Sequence, residues 1–100
     1  MIRKKVLTVD NSPMVQRLIA AHLAAELIEL IPVLSGADVL AVARERRPDL
    51  VLLNVRMPKP DGWDVCRMLK SDAATRNIPV IATGMPWFGT ACMVKGSSRP

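Results

Sequence analysis

Tyrosine is missing from this 100-residue chain, phenylalanine occurs once and tryptophan twice. So few rings leave little on which nucleic-acid bases could stack. The two cysteines, Cys66 and Cys92, lack metal-ligand spacing and His22 stands alone, so neither a zinc site nor a disulfide framework is supported; both are expected to be core thiols. Half of the residues are apolar, yet Pro, Arg or Asp breaks every apolar run well short of the roughly 20 residues that a membrane-spanning helix needs. The charged start Met1-Ile2-Arg3-Lys4-Lys5 leads only into Val6-Leu7-Thr8-Val9-Asp10, too short for a secretory signal, and a cytoplasmic protein is expected. There is no Gly-rich phosphate loop, metal cluster or paired base and nucleophile, so no enzyme is expected. The net charge of +5 is spread over Arg3-Lys4-Lys5, Arg44 to Arg47, Arg56, Lys59, Arg67, Lys70 and the tail, which suits solvated helix faces better than a nucleic-acid surface.

What is present is an alternation. One hundred residues suffice for one domain, taken as 1–100. Val6 to Val9 reads as a strand, and Asp10-Asn11-Ser12-Pro13 opens a helix whose apolar positions 14, 15, 18, 19, 23 and 27 keep helical spacing. Gln16, Arg17, His22 and Glu26 fall largely on the other faces. Ile28 to Leu34, broken by Glu29 and Pro32, fits an edge strand. Ala37 to Arg47 reads as a helix with Val39, Leu40 and Ala43 inward, stopped by Pro48. Leu50-Val51-Leu52-Leu53 is apolar at every position, as a central strand covered on both faces must be. After a turn-rich loop, Val65, Cys66 and Leu69 mark a third helix ending near Lys70, and Ile78 to Thr83 gives a fourth strand. Four strands alternating with three helices predict a doubly wound parallel α/β sheet.

In open parallel sheets, ligands collect at the carboxyl ends of the strands. Asp10-Asn11 ends the first strand, Asn54 follows the third and Thr83 closes the fourth. These polar residues are expected to gather in one pocket, although Asp10 and Asn11 as helix caps and Asn54 as a turn residue is an equally physical reading.

Three stretches, Val9-Asp10-Asn11-Ser12-Pro13-Met14-Val15, Arg47-Pro48-Asp49-Leu50-Val51-Leu52-Leu53-Asn54-Val55-Arg56-Met57-Pro58 with Asp61-Gly62, and Ile78-Pro79-Val80-Ile81, resemble the CheY-like receiver domain of two-component response regulators, over residues 4–83. The resemblance implies a flavodoxin-like, three-layer α/β/α fold with strand order 2-1-3-4(-5). In that family two acidic residues after strand one and an aspartate after strand three hold magnesium, and the last accepts a phosphoryl group from a histidine kinase. Here Asp10 and Asn11 take the acidic pair, Asn54 the phosphoacceptor, Arg56 the position whose carbonyl contacts the metal, and Thr83 and Lys95 the switch hydroxyl and reading lysine.

The departures define the expected function. An amide forms no acyl phosphate, so phosphotransfer at Asn54 is expected to be absent. With Asn11 and Asn54 neutral, only Asp10 supplies charge, and magnesium binding is expected to be weak at best. Arg56 either swings toward Asp10 in place of the cation or faces solvent. Only eleven residues, 84–94, separate Thr83 from Lys95 and five follow it, so the atypical tail 84–100 is expected to lack the fourth and fifth helices. Residues 91–94 then either form a fifth parallel strand that brings Lys95 to the pocket, or pair antiparallel and carry it away. Either path leaves apolar sheet surface, from which a homodimer through strand four and residues 84–95 is expected. The expected function is a pseudo-receiver acting through protein partners such as a histidine kinase or output domain. The alternative is a truncated or engineered form of an ordinary phosphoaccepting regulator.

Overall fold

The computed structural model describes residues 3–24 and 27–83. Strand β1 (Lys4–Val9) ends at Asp10, and Ser12 caps helix α1 (Pro13–His22) by accepting the Val15 N–H at 3.2 Å, with Pro13 at the first position, where no N–H is needed. The helix stops short of the apolar spacing that runs on to Leu27. By Leu27 the chain already pairs with β1, because the Leu27 carbonyl accepts the Lys4 N–H at 3.3 Å. Strand β2 (Ile28–Val33) leads through a 3₁₀ turn (Gly36–Asp38) to helix α2 (Val39–Arg46), which closes on Arg47 in the left-handed conformation (φ 48°) just ahead of Pro48. Strand β3 (Leu50–Asn54), helix α3 (Gly62–Ser71) and strand β4 (Val80–Thr83) complete the order. Strand β4 starts two residues later than the apolar run suggests, since the Ile78 N–H is spent on the Thr75 carbonyl in a turn at 3.0 Å.

The four strands pair in parallel, as the alternation predicts, and in the order β2-β1-β3-β4 that the family resemblance implies. Edge strand β2 carries the exposed Pro32, where the missing donor costs least. Register puts Leu7, Val9, Val51, Leu53, Val80 and Ala82 on one face, against Val39 and Ala43 of α2 and Val65, Cys66 and Leu69 of α3. These side chains are buried and form the core. Helix α1 lies on the opposite face, where its Gln16 meets Thr8. That face is only partly covered: Leu30, Leu50, Leu52 and Ile81 are half-buried. Strand β3 is therefore sealed on one side and half open on the other, although its sequence is apolar throughout.

Helix α1 reverses the hydropathy expectation. Met14 is 66% exposed and Leu18 53%, whereas Gln16 is buried. Cys66, expected as a core thiol, is buried in α3 among Val65, Leu69 and the inner face of the sheet. No helix among the described residues is long and apolar enough to cross a membrane. The fifth strand, the question of the fourth and fifth helices, Lys95 and the tail's share in a dimer all lie outside the described residues.

Helix α3 opens with a capping box in which the Asp61 carboxylate accepts the Asp64 N–H and the Asp64 carboxylate accepts the Asp61 N–H, each at 3.0 Å. The Asp64 N–H holds the Asp61 carboxyl below its ordinary 3.8, and the Arg44 guanidinium does the same for Asp72. Both groups have folded-state pKa values below their unfolded ones, so each stabilises the fold at neutral pH and loses that effect as the pH falls through and below about 3.8. The urea midpoint is expected to fall on acidification below that value, and the loss is expected to shrink in Asp61→Asn and Asp72→Asn.

Candidate functional site

Strands β1, β3 and β4 each deliver one polar residue, Asp10, Asn54 and Thr83, to the carboxyl edge of the sheet or the loop beyond it. Asp10, which is 8% exposed, leaves β1 with both carboxylate oxygens engaged. Its Oδ1 accepts the Ser12 N–H at 2.9 Å, and its Oδ2 accepts the Asn54 side-chain amide at 3.2 Å. The Asn54 Oδ1 in turn accepts the Arg56 N–H at 2.9 Å, which is the turn role the residue type suggests. Asn54 therefore makes the turn and faces Asp10 at once. The helix-cap role falls to Ser12.

Thr83 is in register with Asn54, and its carbonyl accepts the Val55 N–H at 3.0 Å. Its hydroxyl is directed back to the Leu53 carbonyl at 3.4 Å. Asn11 stands apart from the Asp10–Asn54 pair: it is exposed and lines a cavity of about 80 Å³ with Leu34, Ser35, Gly36, Met57, Pro58 and Lys59. Arg56 is exposed, so of the two conformations left open by its sequence position the solvent-facing one is found. Lys59 lies between Asp61 (3.4 Å) and Asp64 (3.3 Å), which raise its pKa, Asp64 most strongly. The site thus brings Asp10 and Asn54 into direct contact, sets Thr83 beside Asn54 and leaves Asn11 on a neighbouring wall.

Magnesium does not fit this donor set. The ion prefers several anionic oxygens with near-octahedral access. Among the described residues Asp10 is the one carboxylate that meets Asn54, and both of its oxygens already accept hydrogen bonds, one from the Asn54 amide that, by the family resemblance, stands where a second carboxylate would ligate. No cluster of three His, Cys, Asp or Glu side chains suited to a metal occurs among the described residues.

Two residues shape the site in ways the sequence pattern does not state, Gly62, which enters there only within the Asp61-Gly62 stretch, and Gln16. A Cβ on Gly62 would fall 2.3 Å from the Val55 Cα and 2.6 Å from the Asn54 carbonyl oxygen, so the first turn of α3 rests directly on the backbone that carries Asn54. Gly62→Ala is expected to cost about 1–3 kcal/mol through this overlap. Chemical denaturation checks the loss, and an unchanged midpoint would show that the helix simply moves aside. The other residue is Gln16. The spacing 16, 19, 23 is itself a helical stripe, and Ile19 and Leu23 on it are half-buried, which is the signal that places Gln16 toward the sheet.

The sequence matches the response regulator receiver domain family over residues 6–86. It is similar to the response regulator PleD of Caulobacter vibrioides, 44% identical over 77 residues that make up 77% of this chain and 17% of PleD. It is also similar to the polar-differentiation response regulator DivK of Brucella anthropi, 36% identical over 96 residues, covering 96% of this chain and 73% of DivK. The chain thus spans less than a fifth of the length of one such relative and about three quarters of the other. Among solved structures, the N-terminal domain of a response regulator receiver protein from Methanoculleus marisnigri superposes with a TM-score of 0.75 at 37% identity, over 78% of this chain and 63% of that one. The receiver domain of the sensor histidine kinase PA1611 from Pseudomonas aeruginosa, solved with magnesium coordinated in its active-site cleft, superposes with a TM-score of 0.75 at 27% identity, over 81% of this chain and 66% of that one.

Proposed function

The chain belongs to the response regulator receiver domain family of two-component signalling, and we propose that this member works without a phosphoryl group on residue 54. The observation that carries the proposal is the 3.2 Å hydrogen bond from the Asn54 amide to the Asp10 carboxylate. A phosphoacceptor must offer a carboxylate oxygen as nucleophile, and Asn54 offers an amide nitrogen already committed to its neighbour. The same bond engages a carboxylate oxygen that a cation would need, so protein groups hold Asp10 in its place. Signal output then rests on what binds the domain: a histidine kinase or an output domain, in the cytoplasm, with no catalysis by the domain itself and no nucleic acid contacted directly. An unaltered intact mass after incubation with acetyl phosphate and magnesium is the expected result. A phosphoryl adduct within residues 50–60, stable at neutral pH, would overturn the proposal.

A homodimer is part of the same reading. The half-buried Leu50, Leu52 and Ile81 on the α1 side of the sheet, together with the exposed Met14 and Leu18, supply apolar surface that a second copy would cover. Sedimentation equilibrium at micromolar concentration is expected to show a dimer, and a cooperative, well-folded monomer would remove this part of the proposal.

A further inference from the structure

We infer that Gln16 is a positioning residue for the pocket, doing from inside the protein what a bound cation does elsewhere, namely fixing where the Asp10 carboxylate points. The inference rests on the reading above, that the Asp10–Asn54 hydrogen bond closes the site. Gln16 is buried behind Asp10, between α1 and the carboxyl ends of β1 and β2. Its Oε1 accepts the Thr8 hydroxyl at 2.6 Å. Its Nε2 donates toward three carbonyl oxygens, those of Thr8 at 2.9 Å, Asp10 at 3.2 Å and Val33 at 3.2 Å.

These bonds close a circuit. The Gln16 backbone N–H donates to the Ser12 carbonyl at 3.1 Å, the Ser12 N–H donates to the Asp10 Oδ1, and the Gln16 side chain returns to the Asp10 carbonyl. The Asp10 N–H is held as well, by the Val33 carbonyl at 3.1 Å. Backbone and side chain of Asp10 are thereby fixed on every side but one. On that side its Oδ2 receives the Asn54 amide. A cation in such a site would order the β1–α1 loop by drawing oxygens inward; here a carboxamide orders the same loop by donating outward to three carbonyls. Two N–H groups shared among three acceptors, with the Thr8 hydroxyl fixing which end of the amide faces them, set one orientation of the side chain.

The Asn54 side-chain amide reports on this directly in a ¹⁵N-labelled sample of the full chain. In the unaltered protein its protons are expected to exchange with solvent more slowly than those of the exposed Asn11 and Asn77. Gln16→Met, which keeps the volume and removes every polar atom, is expected to speed exchange at Asn54 by about tenfold, the factor a hydrogen bond to a charged group confers, while Asn11 and Asn77 stay unchanged. Thr8→Val releases only the Oε1 end and is expected to act in the same direction to a smaller extent, so it carries the test if Gln16→Met does not fold. A purely architectural glutamine would lower the melting temperature and leave the Asn54 amide protected; that result in both variants overturns this inference and spares the reading it rests on. Rapid exchange at Asn54 in the unaltered protein would instead remove the Asp10–Asn54 bond, and this inference with it.

Discussion

Asn54→Asp is expected to weaken the domain by about 2 kcal/mol at neutral to alkaline pH, even though it restores the residue type on which phosphotransfer depends. The substitution turns an amide donor into an acceptor 3.2 Å from the Asp10 Oδ2. Two like charges at that separation repel by roughly 5 kcal/mol at an effective dielectric constant of 20, and partial exposure of residue 54 with outward rotation of the new side chain reduces the cost. The introduced carboxyl has a folded-state pKa raised above its unfolded value by the neighbouring charge. A group of that kind costs nothing below its unfolded pKa near 3.9, where it is protonated in both states, and its full penalty appears once the pH has risen through the folded pKa. Urea denaturation of the variant and the parent is therefore expected to converge toward about pH 4 and to diverge as the pH rises toward 8. Millimolar magnesium is expected to recover only a minor part, because Asn11 adds no charge and lines the neighbouring cavity instead. Equal stability of variant and parent across the range would show that the Asp10–Asn54 contact has no energetic weight.

Gln16→Met is the second large effect, and it runs against hydropathy. Placing a thioether chain at the centre of α1 leaves the Thr8 hydroxyl and the Thr8, Asp10 and Val33 carbonyls without their side-chain partner. Each buried polar group stripped of its partner costs about 1–3 kcal/mol, less where another donor remains, as the Asp10 N–H does for Val33, so the sum is expected near 3 kcal/mol. For a domain of this size that lowers the melting temperature by about 12–24 °C. Removing the apolar side chains of Met14 or Leu18 from the same helix is expected to change the stability of the single chain, measured at concentrations where it is dissociated, by no more than about 0.5 kcal/mol, because both are largely exposed there. Thermal melts of Gln16→Met, Met14→Ala and Leu18→Ala settle the order. A tolerated methionine at 16 would mean that water replaces the carboxamide without loss.

The residues that were legible from the chain alone are those whose neighbours in sequence decide their state. Pro48 and the Ser12-Pro13 cap bound elements through local backbone restrictions, Pro32 marks its strand as an edge, and the unbroken run Leu50 to Leu53 identifies the central strand because a both-sided strand has no polar face to show. The parallel sheet followed from the alternation of strands and helices, and its strand order from the family resemblance. The identity of residue 54 as an amide, and with it the expected loss of phosphotransfer, was likewise a matter of covalent chemistry that no fold alters.

Other features depended on distances across the fold. That the Asn54 amide closes on Asp10, 44 positions away, follows from the parallel register of β1 and β3, which no local pattern states. Gln16 was placed outward because helical periodicity ranks residues by hydropathy, whereas the sheet edge offers carbonyls and a hydroxyl that only a donor–acceptor side chain satisfies. Met14 and Leu18 were placed inward by the same ranking, and α1 sits so that they face out. Sequence thus determined the elements, their order and the chemistry forbidden at residue 54, because each is decided by bonds within a few residues. Tertiary structure decided which polar groups meet and which apolar ones stay uncovered, because hydrogen bonding at the strand ends depends on groups brought together from β1, β2 and β3.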